Sequence, residues 1–444
     1  MGIRTLLFVA IFLFCCGGAL FVPLFGLLGY TAHYIIGPEG QWWAAPLRPL
    51  DIHYSLTLAV VSAVGIACNL GKLRYGSALL SFHEKMFLLF IALLWVLREI
   101  SEPTIAYTVV DHPALKITKV AIFCLMLTHV VTDVKNVRFL LWTLVVSTFL
   151  LGLEAYAAPR SAFAYGRLET IGGVDFREAN FLPAFIVGVL PLMGVLFLDS
   201  RWLGKLVALA AGVFSVNAVV LARSRGAVVG IALGVIAAAL LAPKQYRLKI
   251  FAGLLAAALG GLYLSDPGFL ARVDTLSRDA DERDRSAESR VELWHVGLSM
   301  LQDQPLGIGP GNFSQVAGKY DIRYQNRDAH NTYVRCFAEL GIEGFLLFIG
   351  LIVHSIVVLK RTMRKAWSLP PEHRNQILLP SYGVAVGLFM MLGCGLTVTL
   401  LYMEALWWFL MIPVCLERAA DNLIADLENA PCPVPEEMKT DAPD

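Results

Sequence analysis

Charge is scarce in this sequence. Only 16% of its 444 residues are charged and 57% are hydrophobic, with a mean hydropathy of +0.64. A soluble domain carries about a quarter charged residues, so an ordinary soluble enzyme is excluded. Net charge is +1, which leaves no field for nucleic acid. Paired cysteines are also missing. Cys15, Cys16, Cys68, Cys124, Cys394 and Cys415 fall in apolar segments, Cys336 starts another and Cys432 is in the tail. No CxxC occurs, so neither a zinc site nor a disulfide framework is expected. The HExxH pattern is absent, and the histidines share no metal-ligand spacing; no metal and no cofactor is expected. There is no internal repeat. A cleaved signal peptide is not expected either, because the apolar run after Arg4 continues to about Leu28, beyond an h-region of roughly 7–15 residues.

Long apolar runs dominate instead. About twelve stretches approach the roughly 20 apolar residues that cross a bilayer: 5–28, 53–70, 77–98, 113–131, 137–156, 180–198, 203–221, 225–242, 247–264, 332–359, 378–395 and 397–416. The expected fold is all-α and polytopic. Residues 1–264 hold the first nine helices, with an outer loop at 157–180. A large outer segment covers 265–331, with a charged, helical stretch at 271–292. The last three helices cover 332–416, the final two forming a tight hairpin, and 417–444 is a cytoplasmic tail, disordered from about 429.

Lysine and arginine orient such a chain, because they concentrate in cytoplasmic loops. With the N-terminus inside, the cytoplasmic side receives Arg4, Lys72, Arg74, Lys85, Lys135, Arg138, Arg201, Lys205, Lys244, Arg247, Lys249, Lys360, Arg361, Arg364, Lys365, Arg374 and Arg418. The outer short loops receive Arg48, Arg98, Lys116, Lys119, Arg160, Arg167, Arg177, Arg223 and Arg225. Both termini are expected in the cytoplasm. Five of the outer arginines cluster at 160–177 and 223–225, where they oppose the orientation signal, so another requirement should hold them there.

Arg223-Ser-Arg225 opens the eighth span. Charged groups near a membrane helix end are functional candidates when they face a cavity. Arg225 precedes Gly226 and Ala227, which leave room for a bulky anion, and a cation at a helix N-terminus adds to the dipole there. The pair points to a bound phosphate; the competing reading is an arginine snorkelling to head groups. Arg290, in Ser289-Arg290-Val-Glu-Leu-Trp294, offers a planar fork that matches phosphate oxygens; the competing reading is an ion pair with Glu288 or Glu292. His330, in His330-Asn331-Thr-Tyr333, can accept a proton from a sugar hydroxyl; the competing reading is an interfacial cap. Gly166-Arg167-Leu-Glu169, Gly172-Gly173 and Asp175-Phe-Arg-Glu-Ala-Asn180 make a polar outer loop, which could equally be a plain connection. Asp279-Ala-Asp281 imitates a metal–nucleotide-sugar motif but sits in a mixed charge run and reads as a solvated helix face. Gly307-Ile-Gly309-Pro-Gly311 imitates a phosphate loop but follows no strand and lacks the lysine, so it reads as a turn.

Taken in order, these pieces resemble the O-antigen ligase family, which includes lipid A–core ligases, O-antigen polymerases and bacterial protein O-oligosaccharyltransferases. They are the RLE–GG–N loop (167–180), the SRG helix start (224–226), the RxxxW helix (290–294), the PLxGxGxGNF turn (305–313) and the HNxY…ELGxxG stretch (330–344). The resemblance spans about 160–415. It departs at 176–180, where relatives often carry Asp-Pro-Asn.

The resemblance implies a GT-C-like membrane glycosyltransferase of the bacterial inner membrane, with its site in the periplasm. The donor would be a glycan on undecaprenyl diphosphate, and transfer would be metal-independent and inverting. The acceptor would be lipid A–core or another glycan or protein, with membrane lipid as surroundings. Arg225 and Arg290, with Arg167 and Arg223, would hold the diphosphate. His330 would be the base, and Asn331, Tyr333, Glu169 and Asn180 would orient substrate. A polymerase or a protein O-oligosaccharyltransferase would use the same donor. A transporter of lipid-linked glycan, the non-enzymatic alternative, would spread polar residues along several spans; here they gather at one face.

Overall fold

A computed structural model describes residues 2–74, 78–101, 112–176, 180–274 and 285–429. The helices are α1 (Ile3–Phe21), α2 (Leu24–Ile36), α3 (Tyr54–Cys68), α4 (Phe82–Ile100), α5 (Pro113–Val130), α6 (Val134–Tyr156), α7 (Phe181–Asp199), α8 (Trp202–Ala222), α9 (Arg225–Leu241) and α10 (Arg247–Leu264). After them come α11 (Pro267–Asp274), α12 (Arg285–Asp303), α13 (Phe313–Tyr320), α14 (Thr332–Ser368), α15 (Pro371–Cys394) and α16 (Glu404–Glu428). Among the described residues the only sheet is a two-residue hairpin, β1 (Phe163–Ala164) against β2 (Arg167–Leu168). Among the described residues, eight helices are long and apolar enough by themselves to cross a membrane. The protein is an all-α, multi-pass membrane protein.

Polar ties mark the two ends of the bundle. At one end Lys116 and Tyr34 hold Asp175 at 2.5 and 2.8 Å, Gln41 bonds Glu154 at 2.8 Å, and Arg223 pairs with Asp266 at 2.9 Å. At the other end Arg138 pairs with Asp199 at 3.3 Å, Arg418 with Glu84 at 2.8 Å, Arg361 with Glu417, and Arg74 with Asp426 at 2.7 Å. Helices α1 to α10 and α14 to α16 run alternately between these ends. The middle of the bundle is built on α15, which packs against α7, α9, α14 and α16.

Two expectations are corrected. The first apolar run, 5–28, is not one span. Pro23, which lacks the amide a continuing helix needs, follows the α1 terminus at Val22. The chain turns back there, bringing Phe25 onto Phe14 (ring centroids 5.2 Å) and Gly29 onto Cys15, while Thr5 bonds the Trp43 carbonyl at 2.6 Å. The start of α1 therefore lies at the Asp175 end, beside the His33 and Tyr54 rings of α2 and α3. The end of α16 lies opposite, where Asn422 bonds the Arg74 and Thr132 carbonyls. The first and last described residues, Gly2 and Asn429, therefore lie at opposite ends of the bundle.

The last two spans are also not a tight hairpin. Residues 395–403 separate α15 from α16, and this connection supports the site described below. Of the charged stretch 271–292, residues 275–284 lie outside the described residues, and the parts on either side are helical. The described helices of the outer segment are α11, α12 and α13, and Asp279-Ala-Asp281 lies outside the described residues, as do the tail from 430 and Arg177.

A topology map checks the fold. Single cysteines placed at Gly2 and at Asn326 in a cysteine-free background should react with an impermeant thiol reagent from the same side. One at Ala425 should react only from the opposite side. Labelling of positions 2 and 425 from one side would refute the α1–α2 reversal.

Candidate active site

His330 sits on the link between the outer segment and α14. Its backbone is left-handed (φ 47°), a conformation that costs a non-glycine residue free energy and persists only when its surroundings enforce it. Several contacts do so. The His330 amide donates to Asp328 at 3.3 Å, and Trp294 of α12 donates from its indole to the Ala329 carbonyl at 3.1 Å. Asn331 caps α14 by accepting from the Tyr333 and Val334 amides, and its own amide group donates to the Leu396 carbonyl at 3.0 Å. Thr332 donates to the Val398 carbonyl at 2.7 Å and accepts from the Leu400 amide at 2.8 Å. The 395–403 connection is therefore the floor beneath the histidine.

The side chain of His330 is about 38% exposed, and its Nδ1 lies 3.9 Å from the Asp328 carboxylate. Arg335 donates to the other oxygen of Asp328 at 3.0 Å, and Thr399 donates to the first at 2.5 Å. Arg335 also bonds Glu339, one helical turn on, at 2.8 Å and stacks over the Tyr402 ring at 5.1 Å. Glu339 is fully buried. It accepts from the Gly311 and Phe313 amides at 2.8 and 3.0 Å and from the Tyr402 hydroxyl at 2.5 Å. The glycine-rich turn thus donates its amides to a carboxylate of the protein itself, as a turn and not as a phosphate loop. Gly341 lets it dock. With φ 67° and ψ −171° this residue breaks α14, and a Cβ there would lie 2.5 Å from the Pro305 carbonyl oxygen.

Burial lowers the His330 pKa below its ordinary value; Asp328 pulls it upward, and the Arg290, Arg327 and Arg335 guanidinium groups push it down again. These effects place Arg290 of α12 within electrostatic reach of the imidazole. Burial raises the Asp328 carboxyl, but Arg335, Thr399 and His330 together hold it below the usual range. Neutral His330 beside ionised Asp328 is an acceptor for a hydroxyl proton. On α12, Glu292 is taken by Tyr324 and by Arg323 at 3.3 Å.

The arginines expected around a diphosphate divide by environment. Arg225, 7% exposed, opens α9 behind the Ser224 cap. Gly226 brings this helix start against the floor: a Cβ there would lie 2.5 Å from the Thr397 hydroxyl. Arg223 pairs with Asp266, just before α11, and lies against Gly268. Arg167 donates to the Ala222 carbonyl at 3.1 Å and to Asn180 at 2.7 Å, while Ser224 reaches the same Asn180 oxygen at 3.3 Å. Arg167 and Asn180 therefore stitch the polar loop onto the α8–α9 junction. Glu169 is half-buried, its amide bonded to Ala162. Tyr333 donates its hydroxyl to the Leu392 carbonyl at 2.9 Å. Asn331, Tyr333, Arg167, Asn180 and Arg223 are thus seen holding the protein together.

His330 stands on the 395–403 connection, the helix start at Gly226 packs against it, the glycine-rich turn reaches it through Glu339 and Tyr402, and Arg290 lies within electrostatic reach of the imidazole. Residues 210–349 match the model of the O-antigen ligase family. The match runs from within α8 into α14 and contains the SRG start, the RxxxW helix, the turn and the histidine. O-antigen ligase family proteins are membrane glycosyltransferases of ligase or polymerase type. No curated protein matches the chain.

Asp328, Arg335, Glu339, Thr399 and Tyr402 were not singled out from sequence. A signal was available: Arg335 and Glu339 are opposite charges four residues apart at the head of a long apolar span, and such charges are rarely idle.

Asp328→Asn tests the support of the base. It should lower turnover by roughly 10–10³-fold, because an oriented base is lost. With the carboxylate removed, the acid limb of the pH–kcat/KM profile should also move to lower pH. An unmoved acid limb would make Asp328 a purely structural residue.

Proposed function

We propose that this protein transfers a glycan from undecaprenyl diphosphate to an acceptor hydroxyl at the periplasmic face of a bacterial inner membrane, as a ligase of the lipid A–core type. What supports this reading is His330 held beside Asp328 over the 395–403 floor, with Arg290 in electrostatic reach and the α9 start packed on the same floor through Gly226. Lysine and arginine also favour the opposite end of the bundle as cytoplasmic, with or without Arg4.

The reaction needs little beyond these groups. The acceptor oxygen attacks the anomeric carbon of the donor sugar from the face opposite the diphosphate, which inverts the centre. As the new C–O bond forms, the acceptor proton passes to the free ring nitrogen of neutral His330. The bond from the anomeric carbon to the phosphate oxygen breaks, and its electron pair leaves on the diphosphate. Arg225 and Arg290 stabilise that developing charge. Burial keeps the histidine unprotonated at neutral pH, and Asp328 stabilises the imidazolium once it forms. Arg223 and Arg167, already committed to Asp266 and Asn180, shape the approach to Arg225 and contribute positive potential from a distance.

Loss of the base should be severe. In reconstituted protein His330→Ala should reduce transfer by roughly 10²–10⁴-fold with donor binding largely kept; near-full activity would sink the assignment. Arg225→Lys should fail as well, since a point charge does not reproduce a planar fork, and recovery of turnover with lysine would remove the bidentate contact. The acceptor is settled by incubating the protein with an undecaprenyl-diphosphate glycan and, separately, lipid A–core, a second lipid-linked glycan and a candidate protein. Product with lipid A–core is expected. Product only with the second glycan would make the protein a polymerase, and product only with the protein an O-oligosaccharyltransferase.

A further inference from the structure

A cavity of about 310 Å³ opens beside the His330 support, between the start of α5, the polar loop, the start of α7, the first turn of α14 and the 395–403 connection. Its polar wall is Lys116, Asp175, Arg335 and Thr399, and its flat wall is Phe181 and Tyr402. Small-molecule sites occupy roughly 300–1,000 Å³, so this one suits a ring or two and not a lipid chain.

The wall charges are internally balanced. Lys116 donates to Asp175 at 2.5 Å, and the second Asp175 oxygen accepts from the Tyr34 hydroxyl at 2.8 Å and the Glu404 amide at 3.2 Å. Arg335 is shared between Asp328 and Glu339. Among the described residues no excess cation faces the space, so a phosphate has little to gain from them. What faces it is a mixed set of N–H donors and oxygen acceptors beside aromatic surface. That combination fits a neutral polyol, whose hydroxyls both donate and accept and whose C–H face packs on a ring.

The cavity is also joined to the base. Thr399 lines it and donates to the Asp328 oxygen that lies 3.9 Å from His330. Two of its polar walls, Lys116 and Asp175, lie outside the stretch 210–349 that matches the family, whereas Arg335 lies inside it. The cavity thus joins Arg335, from the matched stretch, to walls and a floor supplied by other parts of this chain.

We propose that this cavity is a subsite for one neutral sugar unit of a substrate glycan, and that Lys116 and Asp175 select that sugar. The proposal rests on the glycan-transfer reading and names where part of the glycan is held. The sugar belongs either to the donor, next to the anomeric carbon under attack, or to the acceptor, next to the attacking hydroxyl.

The test uses full-length reconstituted protein with Val174→Trp and Lys116→Met. Val174 is 72% exposed at the rim, so tryptophan can block the mouth without opening the core. Lys116→Met removes a wall donor. With full-length glycans each variant should raise one KM by roughly tenfold or more while kcat changes little, the signature of lost substrate binding. A rise in the donor KM assigns the sugar to the donor, and a rise in the acceptor KM assigns it to the acceptor. With a substrate truncated to lack that sugar, variants and wild type should share one KM. Unchanged KM values, or equal losses with full and truncated substrate, would overturn the subsite. A second arm is independent of turnover: the oligosaccharide released from the donor by mild acid is titrated onto wild type and Val174→Trp. If wild type binds it and the variant does not, the subsite stands even where no transfer occurs, and only the catalytic reading falls. If wild type does not bind it and the KM values do not move, the subsite falls.

Discussion

Arg335 joins two carboxylates that would otherwise repel each other in a largely buried place. On one side is Asp328, which faces His330; on the other is Glu339, which gathers the amides of the glycine-rich turn and the Tyr402 hydroxyl. A buried charge is tolerated only when its partners satisfy it, and removing one partner costs about 3–5 kcal/mol. That cost makes the arrangement all-or-none. The turn, the break in α14 at Gly341, the connection to α16 and the left-handed histidine are each held by this one line of charge. The family motifs are far apart in sequence because the network that unites them is made across helices.

The same reasoning sorts the arginines. Each one at the site end opposes the usual charge bias of a membrane protein, yet they do different things. Arg223 and Arg167 are satisfied by Asp266, Asn180 and a backbone carbonyl, and they fix the polar loop and α11 around the head of α9. Arg225 lies buried at that head, and Arg290 acts on the imidazole from α12. A departing diphosphate needs fixed cations close by and water held away. In the proposed reaction Arg225 and Arg290 meet the first condition, and Arg223 and Arg167 serve the second by shaping the cleft.

Much of this was legible in the chain. Apolar runs of bilayer length, interrupted by short basic loops, require an all-α membrane protein, because backbone amides in lipid must be satisfied within a helix. The order of the SRG start, the RxxxW helix and the HNxY stretch marked His330, Arg225 and Arg290 as one group. The first reversal was missed for a physical reason: hydropathy sums over α1 and α2 without a dip, and only the missing amide of Pro23 and the packing of Phe14 on Phe25 show that the chain turns. That error carried the N-terminus to the wrong face. The 395–403 connection was missed likewise, since its residues are as apolar as the spans beside it.

The sequence by itself determined the solvent this protein folds in, the helical class, and which end of the bundle carries the unusual charge. These follow from local composition, which hydropathy and backbone hydrogen bonding read residue by residue. Only the tertiary structure decided that Asp328, Arg335 and Glu339 form one line, that Asn331 and Tyr333 serve as cap and tie, and that Lys116 and Asp175 border a cavity next to the His330 support. Those roles depend on which partner each polar group finds across the bundle, and pairing between distant helices leaves no periodic trace in any one of them.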